Sequence, residues 1–468
     1  MNDTICALAT APGGALGIIR VSGPQAFDVV SHICSVNCAD CAPNTVHYTH
    51  IISPLPLEGT GVAQVIDEVM VSVFKAPKSY TGEDSVEISC HGSRYIYNKV
   101  LELLIQNGCR MANPGEFTQR AYLNGKMDLS QAEAVADLIA STNKATHNIA
   151  LSQLRGQFSS ELSILRDQLL KLTSLLELEL DFSDHEDLEF ADRTELLSIA
   201  QTIDNRITRL AQSFETGQAL KQGIPVAIVG QTNTGKSTLL NALLGEERAI
   251  VSDIAGTTRD TIEETLNING ILYRFIDTAG LRKTEETIEK IGIERSYKKI
   301  QEASIVIGML DATNSYESML SASNEIVSKV DLERQQLFLC INKVDTLSDQ
   351  GAALLGQLRL DLDNDEIFVI CLSAKQGFGL GDLYHTLKNS QPLASPDAVL
   401  VTNLRHYEAL FHASESLHLV QQGLENNTPT DLISQDLREA LYYLGSITGE
   451  ITTDEILGTI FSRFCIGK

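Results

Sequence analysis

Pro225-Val226-Ala227-Ile228-Val229-Gly230-Gln231-Thr232-Asn233-Thr234-Gly235-Lys236-Ser237 is a short apolar run that passes directly into G-x-x-x-x-G-K-S. The helical run Thr238-Leu239-Leu240-Asn241-Ala242-Leu243 follows, so the stretch reads as strand, glycine-bearing loop and helix. Glycines let the backbone curl until its N–H groups converge on phosphate oxygens, and a helix N-terminus favours the anion. Lys236 is then set to reach the β and γ phosphates and Ser237 to ligate Mg²⁺. A chance match of the loop alone is conceivable, but not in this strand-to-helix setting.

Working outward, four more features follow in a consistent order. Gly256-Thr257-Thr258-Arg259-Asp260 lies about twenty residues beyond the loop, where a switch threonine senses γ-phosphate and Mg²⁺. The strand Ile271–Ile276 leads to Asp277-Thr278-Ala279-Gly280, with Asp277 suited to a metal-bound water and the Gly280 N–H to the γ-phosphate. The strand Leu337–Ile341 ends in Asn342-Lys343-Val344-Asp345, in which Asp345 can accept both N–H donors of a guanine ring. Asn342 supports that loop and Lys343 flanks the base. Ile367–Ile370 precedes Cys371-Leu372-Ser373-Ala374-Lys375, positioned to close over the base. The N-x-x-D spacing favours GTP over ATP, because adenine presents an acceptor where guanine presents N1–H.

A water-orienting glutamine is missing after D-x-x-G, since Gly280 is followed by Leu281 and Arg282. Hydrolysis therefore needs another polar group, a cation or a partner. Glu285, Glu286, Glu289 and Glu294 form the local candidate pool, against the alternative of a solvated helix surface. Asn233 places a side-chain carbonyl inside the phosphate loop, which suits either an ion site or loop hydrogen bonding.

The 468 residues suggest about three domains at roughly 150 residues each. An apolar fraction of 43% supplies ample core. A net charge of −25 argues against electrostatic coating of nucleic acid, which needs clustered Lys and Arg, but not against catalysis on RNA. Met1-Asn2-Asp3-Thr4 does not resemble a signal peptide, no apolar run approaches the roughly 18 residues of a membrane span, and nine cysteines suit a reducing compartment. A cytoplasmic protein is expected.

Residues 1–120 read as a mixed α/β unit, with strands over Ala15–Gly23, Ile66–Phe74 and Ser85–Cys90 and a helix over Tyr95–Gln106. Arg20 and Glu87 fall inside apolar strands, as ligand contacts or else as a structural pair or exposed positions. Cys34, Cys38 and Cys41 are spaced C-x3-C-x2-C without a second paired half, so free thiols are a better reading than zinc. From Ser130 the texture is helical, with Ser130 and Glu133 as a capping box and Leu162, Leu165, Leu169, Leu172 and Leu176 on one helix face. Asp192 with Glu195 suggests another cap, and Gly217 and Gly223 are expected to bracket a linker. Helices return over Arg405–Leu419 and Asp431–Leu444, with Thr452 and Glu455 capping a last one. The two helical blocks are expected to build one domain around the middle segment.

The order of segments and motifs resembles the tRNA modification GTPases called MnmE or TrmE. The resemblance covers essentially the whole chain, through Arg20-Val21-Ser22-Gly23, Pro114–Leu129, the G-T-T-R-D and D-T-A-G-L-R elements and the terminal Cys465-Ile466-Gly467-Lys468. It implies a multidomain α/β and α fold: an N-terminal α/β tetrahydrofolate-binding and dimerisation domain (1–120), a discontinuous helical domain (121–220 and 386–468) and an inserted Ras-like P-loop GTPase domain with a mostly parallel sheet (221–385). It implies a homodimer acting with the FAD-containing partner MnmG. That complex adds an aminomethyl or carboxymethylaminomethyl group to C5 of the wobble uridine of certain tRNAs, using a methylene-tetrahydrofolate carbon.

By motif, folate contacts fall on Arg20, Glu87, Lys126 and Lys468. Potassium falls on Asn233, Ser252, Ile254 and Thr257, and Mg²⁺ on Ser237 and Thr258. Glu289 orients the attacking water through a second water, with Asn233, Lys236 and Gly280 completing the catalytic set. GTP contacts fall on Asn233 to Thr238, Ser252, Thr257, Thr258, Asp277 to Gly280 (including Thr278 and Ala279), Asn342, Lys343, Asp345, Ser373 and Ala374. Cys465 matches the family's terminal cysteine without a role assigned to it. The competing reading is a regulatory or ribosome-assembly GTPase that only switches, and Arg20, Glu87, Lys126 and Lys468 discriminate, since a pure switch needs no one-carbon pocket.

Overall fold

The structure, a computed structural model, describes residues 3–56, 63–181, 193–247, 264–268, 270–276, 300–346, 356–358, 360–361, 366–390, 399–462, 464–465 and 467. The chain divides into two compact units, one of residues 1–140, 150–208 and 408–468 and the other of residues 141–149 and 209–407.

In the first unit β1 (Thr4–Leu8), β2 (Leu16–Ser22), β3 (Thr45–Pro56), β4 (Ala63–Phe74), β5 (Ser85–His91) and β6 (Cys109–Met111) form one sheet, ordered β3-β4-β5-β2-β1-β6. Only β1 and β6 run parallel; the other neighbours are antiparallel. Alternation in β2 and β5 turns Ile19, Val21, Val86 and Ile88 into the core, where the helices Ala26–Ile33 and Arg94–Gln106 cover them with Val30, Ile33, Val100 and Leu104. A smaller cluster of Ile5, Ala7, Ala112 and Phe117 lies apart from that core. The helix Gln157–Asp181 buries the whole leucine stripe from Leu162 to Leu176 and packs on the helix Thr430–Thr448.

In the second unit β7 (Ile224–Gly230), β8 (Glu264–Ile268), β9 (Ile271–Phe275), β10 (Ile305–Asp311), β11 (Gln336–Asn342) and β12 (Ile367–Cys371) form a sheet ordered β12-β11-β10-β7-β9-β8. All neighbours are parallel except β8 with β9. Inner strands buried on both faces read as continuous apolar runs, and every residue of β10 is buried. One face packs Ile228, Leu240, Phe338 and Leu383; the other packs Val229, Ile300, Ile326 and Leu339. The loops at the C-terminal ends of β7, β10, β11 and β12 therefore share one edge, where ligands bind in open α/β sheets.

Three local expectations are corrected. The capping box before the helix Leu129–Ala140 is Asp128 with Gln131, not Ser130 with Glu133: Gln131 N donates to Asp128 Oδ1 (2.9 Å) and Asp128 N to Gln131 Oε1 (3.0 Å). Ser130, one residue inside the helix, instead donates to Asp128 Oδ1. Gly217 and Gly223 do not bracket a linker, because the helix Arg193–Gln222 runs through Gly217. A Cβ on Gly217 would stand 2.1 Å from the Val401 carbonyl oxygen, so this glycine serves close packing; Gly223, at φ +92°, follows the helix end. The last helix, Asp454–Phe461, is capped by Thr453 rather than Thr452, with Thr453 Oγ1 accepting from Ile456 N. Asp192 lies outside the described residues.

Candidate functional site

At the β7 end the loop turns on three positive backbone angles: Gly230 at φ +147°, Asn233 at +60° and Gly235 at +97°. The helix Lys236–Glu247 begins at once, so Lys236, Ser237 and Thr238 occupy its first turn. Lys236 Nζ donates to the carbonyls of Gly230 (2.8 Å) and Gln231 (2.6 Å), bringing its ammonium over the loop. Thr234 is buried and Asn233 exposed.

Asn342, at the end of β11 and 4% exposed, joins three loops. Its Nδ2 donates to the Thr234 carbonyl in the phosphate loop (2.8 Å), and its Oδ1 accepts from Ala374 N after β12 (2.9 Å). A Cβ on Gly235 would lie 2.1 Å from Asn342 Nδ2, so glycine is the residue that lets this amide approach. Asn342, Thr234, Gly235 and Ala374 are thereby brought together. Ser373, 1% exposed, pairs its backbone with Phe378. Asp345 is exposed and accepts from Gln376 Nε2 (3.2 Å).

Asp311 was not singled out from the sequence, yet its carboxylate holds Lys343 Nζ at 2.5 Å and accepts Thr313 Oγ1 at 2.7 Å. Burial opposes its ionisation, but the hydrogen bonds from Lys343 and Thr313 outweigh it and hold the carboxyl below its ordinary 3.8. The signal available was an acidic residue closing a wholly apolar strand at the ligand edge of a parallel sheet. Ser252, Ile254, Thr257, Thr258, Asp277, Thr278, Ala279, Gly280 and Glu289 lie outside the described residues.

In the first unit Arg20 and Glu87 stand directly opposite in the β2–β5 register. Arg20 Nε and Nη2 meet Glu87 Oε1 at 2.9 and 2.8 Å. The guanidinium lies 5.1 Å from the Tyr80 ring centre and 5.5 Å from that of Phe117, and its Nη1 donates to the Gly467 carbonyl (3.4 Å). Gly467 (φ +95°) comes so close to β1 that a Cβ would lie 2.4 Å from Leu8 O. Lys126 is exposed and donates to the Pro77 carbonyl (2.9 Å). Lys468 lies outside the described residues. Tyr80 and Phe117, which sequence reasoning missed, carry no pattern that separates them from core aromatics.

A strand-to-helix phosphate loop, tied by an asparagine to an N-K-x-D loop at the C-terminal edge of a mostly parallel sheet, defines a P-loop GTPase. Residues 4–126 match the family model described as GTP-binding protein TrmE N-terminus, and residues 129–465 the MnmE helical domain. The chain is 52% identical over 469 residues to the tRNA modification GTPase MnmE of Parabacteroides distasonis, covering 100% of each. It is 51% identical over 474 residues to that of Bacteroides fragilis strain YCH46, again covering 100% of each. This chain belongs to the MnmE family of tRNA modification GTPases. A solved FeoB G-domain from Methanococcus jannaschii is 25% identical, covering 35% of this chain and 95% of that one at a TM-score of 0.25. No described helix is long and apolar enough to cross a membrane.

Proposed function

We propose that this GTPase works as a homodimer with an FAD-containing MnmG-type partner, placing an aminomethyl or carboxymethylaminomethyl group on C5 of the wobble uridine of tRNA. The carbon comes from a methylene-tetrahydrofolate held in the N-terminal domain. The observation that carries the folate reading is the meeting of Arg20, Glu87 and the Gly467 carbonyl, with the Arg20 guanidinium near the Tyr80 and Phe117 rings. Arg20 suits an anionic or carbonyl group, Glu87 an N–H donor such as a pterin edge, and the rings a flat heterocycle. A pure switch has no use for such a group of residues.

In the G domain the loop N–H groups and Lys236 bind the phosphates, Asp345 reads the guanine edge, and Asn342 keeps both loops in register. Asp311 anchors the Lys343 ammonium so that its stem is held beside the base. Mg²⁺ would be held by Ser237 and Thr258 and K⁺ by Asn233, Ser252, Ile254 and Thr257, each supplying positive charge against the phosphates. Asn233 fits a cation site in that its φ of +60° turns an exposed side chain within the phosphate loop. Glu289 orients the attacking water through a bridging water, and pairing of two G domains excludes solvent from the site.

The test is uridine modification by the full chain with its partner, GTP, tRNA and methylene-tetrahydrofolate. Arg20→Met is expected to abolish modification and folate binding in calorimetry while leaving GTP hydrolysis intact. Unchanged folate affinity and modification in that variant would overturn the folate reading.

A further inference from the structure

The N-K-x-D loop is held along its length by the chain around it. Asn342 accepts from Ala374 N, and Val344 N donates to the Leu372 carbonyl (3.4 Å), so the loops after β11 and β12 run side by side. Lys343, at φ +67°, is fixed through its ammonium by Asp311. A short 3-10 turn, Val344–Thr346, follows, in which the Lys343 carbonyl accepts from Thr346 N (3.0 Å) and Thr346 Oγ1 (2.7 Å). The backbone at Asp345 is set by this turn. Its side chain is exposed, so packing does little to fix the direction its two oxygens face.

A second turn supplies what packing does not. After β12, Ser373 N donates to the Phe378 carbonyl (2.9 Å), and the Ser373 carbonyl accepts from Gln376 N (3.2 Å) and Gly377 N (2.9 Å). Ser373 Oγ takes a further bond from Gln376 N (3.3 Å). All of these bonds come from the backbone or from Ser373, so the turn keeps its shape whatever side chain stands at position 376. From its exposed tip Gln376 Nε2 donates to Asp345 Oδ2 (3.2 Å).

We propose that Gln376 is a positioning residue for nucleotide specificity, its amide holding the Asp345 carboxylate in the orientation that meets the N1–H and the 2-amino group of guanine together. The inference rests on the reading of Asp345 as the guanine acceptor. A carboxylate offers about four lone-pair positions on its two oxygens, so Oδ2 can accept from Gln376 and from a base N–H at once. One N–H···O bond is satisfied over many rotations of a carboxylate, whereas two parallel bonds demand a single orientation. A carboxylate already oriented loses less freedom when the nucleotide binds. The Gln376 bond therefore favours guanine over a purine that presents N1–H alone. Its effect runs through Asp345, so it belongs to binding and not to the hydrolytic step.

The test titrates the full-length protein with ribose-linked N-methylanthraniloyl derivatives of GDP and of IDP, whose label leaves the base edge free. Inosine keeps N1–H and lacks the 2-amino group. Gln376→Ala is expected to weaken the guanosine nucleotide about three- to tenfold, the range of one side chain's ordering cost, and the inosine nucleotide by less. In steady-state hydrolysis the same variant raises KM for GTP and keeps kcat, which a general disturbance of the site would not do. Gln376→Lys retains an N–H donor on a long stem and is expected to bind like the wild type, whereas Gln376→Glu sets a like charge against Asp345 and binds more weakly than Gln376→Ala. Unchanged guanosine affinity in Gln376→Ala, equal losses for guanosine and inosine nucleotides, or a Gln376→Lys protein as weak as Gln376→Ala would each overturn the proposal. Asp345→Asn is titrated alongside. If it leaves guanosine affinity intact, the guanine reading of Asp345 falls and the role of Gln376 with it; a loss there with none in Gln376→Ala refutes the positioning role alone.

Discussion

Replacing Asn342 by alanine removes a side chain that joins the phosphate loop to the loop after β12. The substitution leaves the Thr234 carbonyl without its donor and the Ala374 N–H without its acceptor, in a site only 4% exposed. An unsatisfied buried group costs about 1–3 kcal/mol, so the two together cost roughly 2–6 kcal/mol. Domains are commonly stable by about 5–15 kcal/mol, which makes this a large fraction. With a urea slope of about 1–3 kcal/mol per molar, even 3 kcal/mol lowers the midpoint by about 1–3 M. GTP affinity is expected to fall at least about tenfold, or 1.4 kcal/mol, because both halves of the nucleotide site lose their common anchor. Urea unfolding followed by G-domain fluorescence labels, with a parallel GTP titration below the transition, measures both effects. A midpoint loss equivalent to under about 0.5 kcal/mol, with unchanged GTP affinity, would refute the reasoning, since that is the range of an ordinary surface substitution.

Arg120, 1% exposed, meets Asp3, Glu83 and Glu116, of which Glu116 is buried and keeps Arg110, so Arg120→Met removes one buried charged partner and is expected to cost about 1–3 kcal/mol of first-unit stability in urea; a loss below about 0.5 kcal/mol contradicts this. Hydrogen bonding to Arg110 lowers the Asp3 carboxyl below 3.8; burial works against Glu116, but Arg110, Asn113 and Arg120 still bring it below 4.5. Because both folded values are depressed, the unfolded chain binds more protons. Their stabilisation is complete above about pH 4.5 and is lost as pH falls through the lowered values, a slope that acid unfolding should show and Arg110→Gln should flatten. Asp345→Asn is expected to weaken GTP and favour xanthosine triphosphate, and equal affinities for GTP before and after the change would count against guanine reading at that residue. Single-turnover hydrolysis should be faster in KCl than in NaCl at equal ionic strength and should collapse in Glu289→Ala with GTP affinity nearly unchanged; equal rates in both salts would end the potassium mechanism.

The phosphate loop was legible because everything it needs is local: an apolar strand, glycines at the turning positions and a helix start lie within Ile224–Glu247. The leucine stripe was legible for the same reason, since 3.6-residue periodicity is a property of a single segment. Boundaries were less so, because Asp128 and Ser130 are both good caps and only the folded geometry shows which accepts the first-turn N–H. Gly217 reads as a break until Val401 is seen packed against it, a contact that local propensity does not register. The sequence by itself determined the class of nucleotide, through residue types whose donors and acceptors match guanine and phosphate. Only tertiary structure decided that Asn342 bonds Thr234 across 108 positions, that Asp311 anchors Lys343, and that Arg20 meets the carbonyl of Gly467 across 447. Such pairs are set by sheet order and chain return, and no short-range pattern encodes which distant backbone atom will complete a buried hydrogen bond.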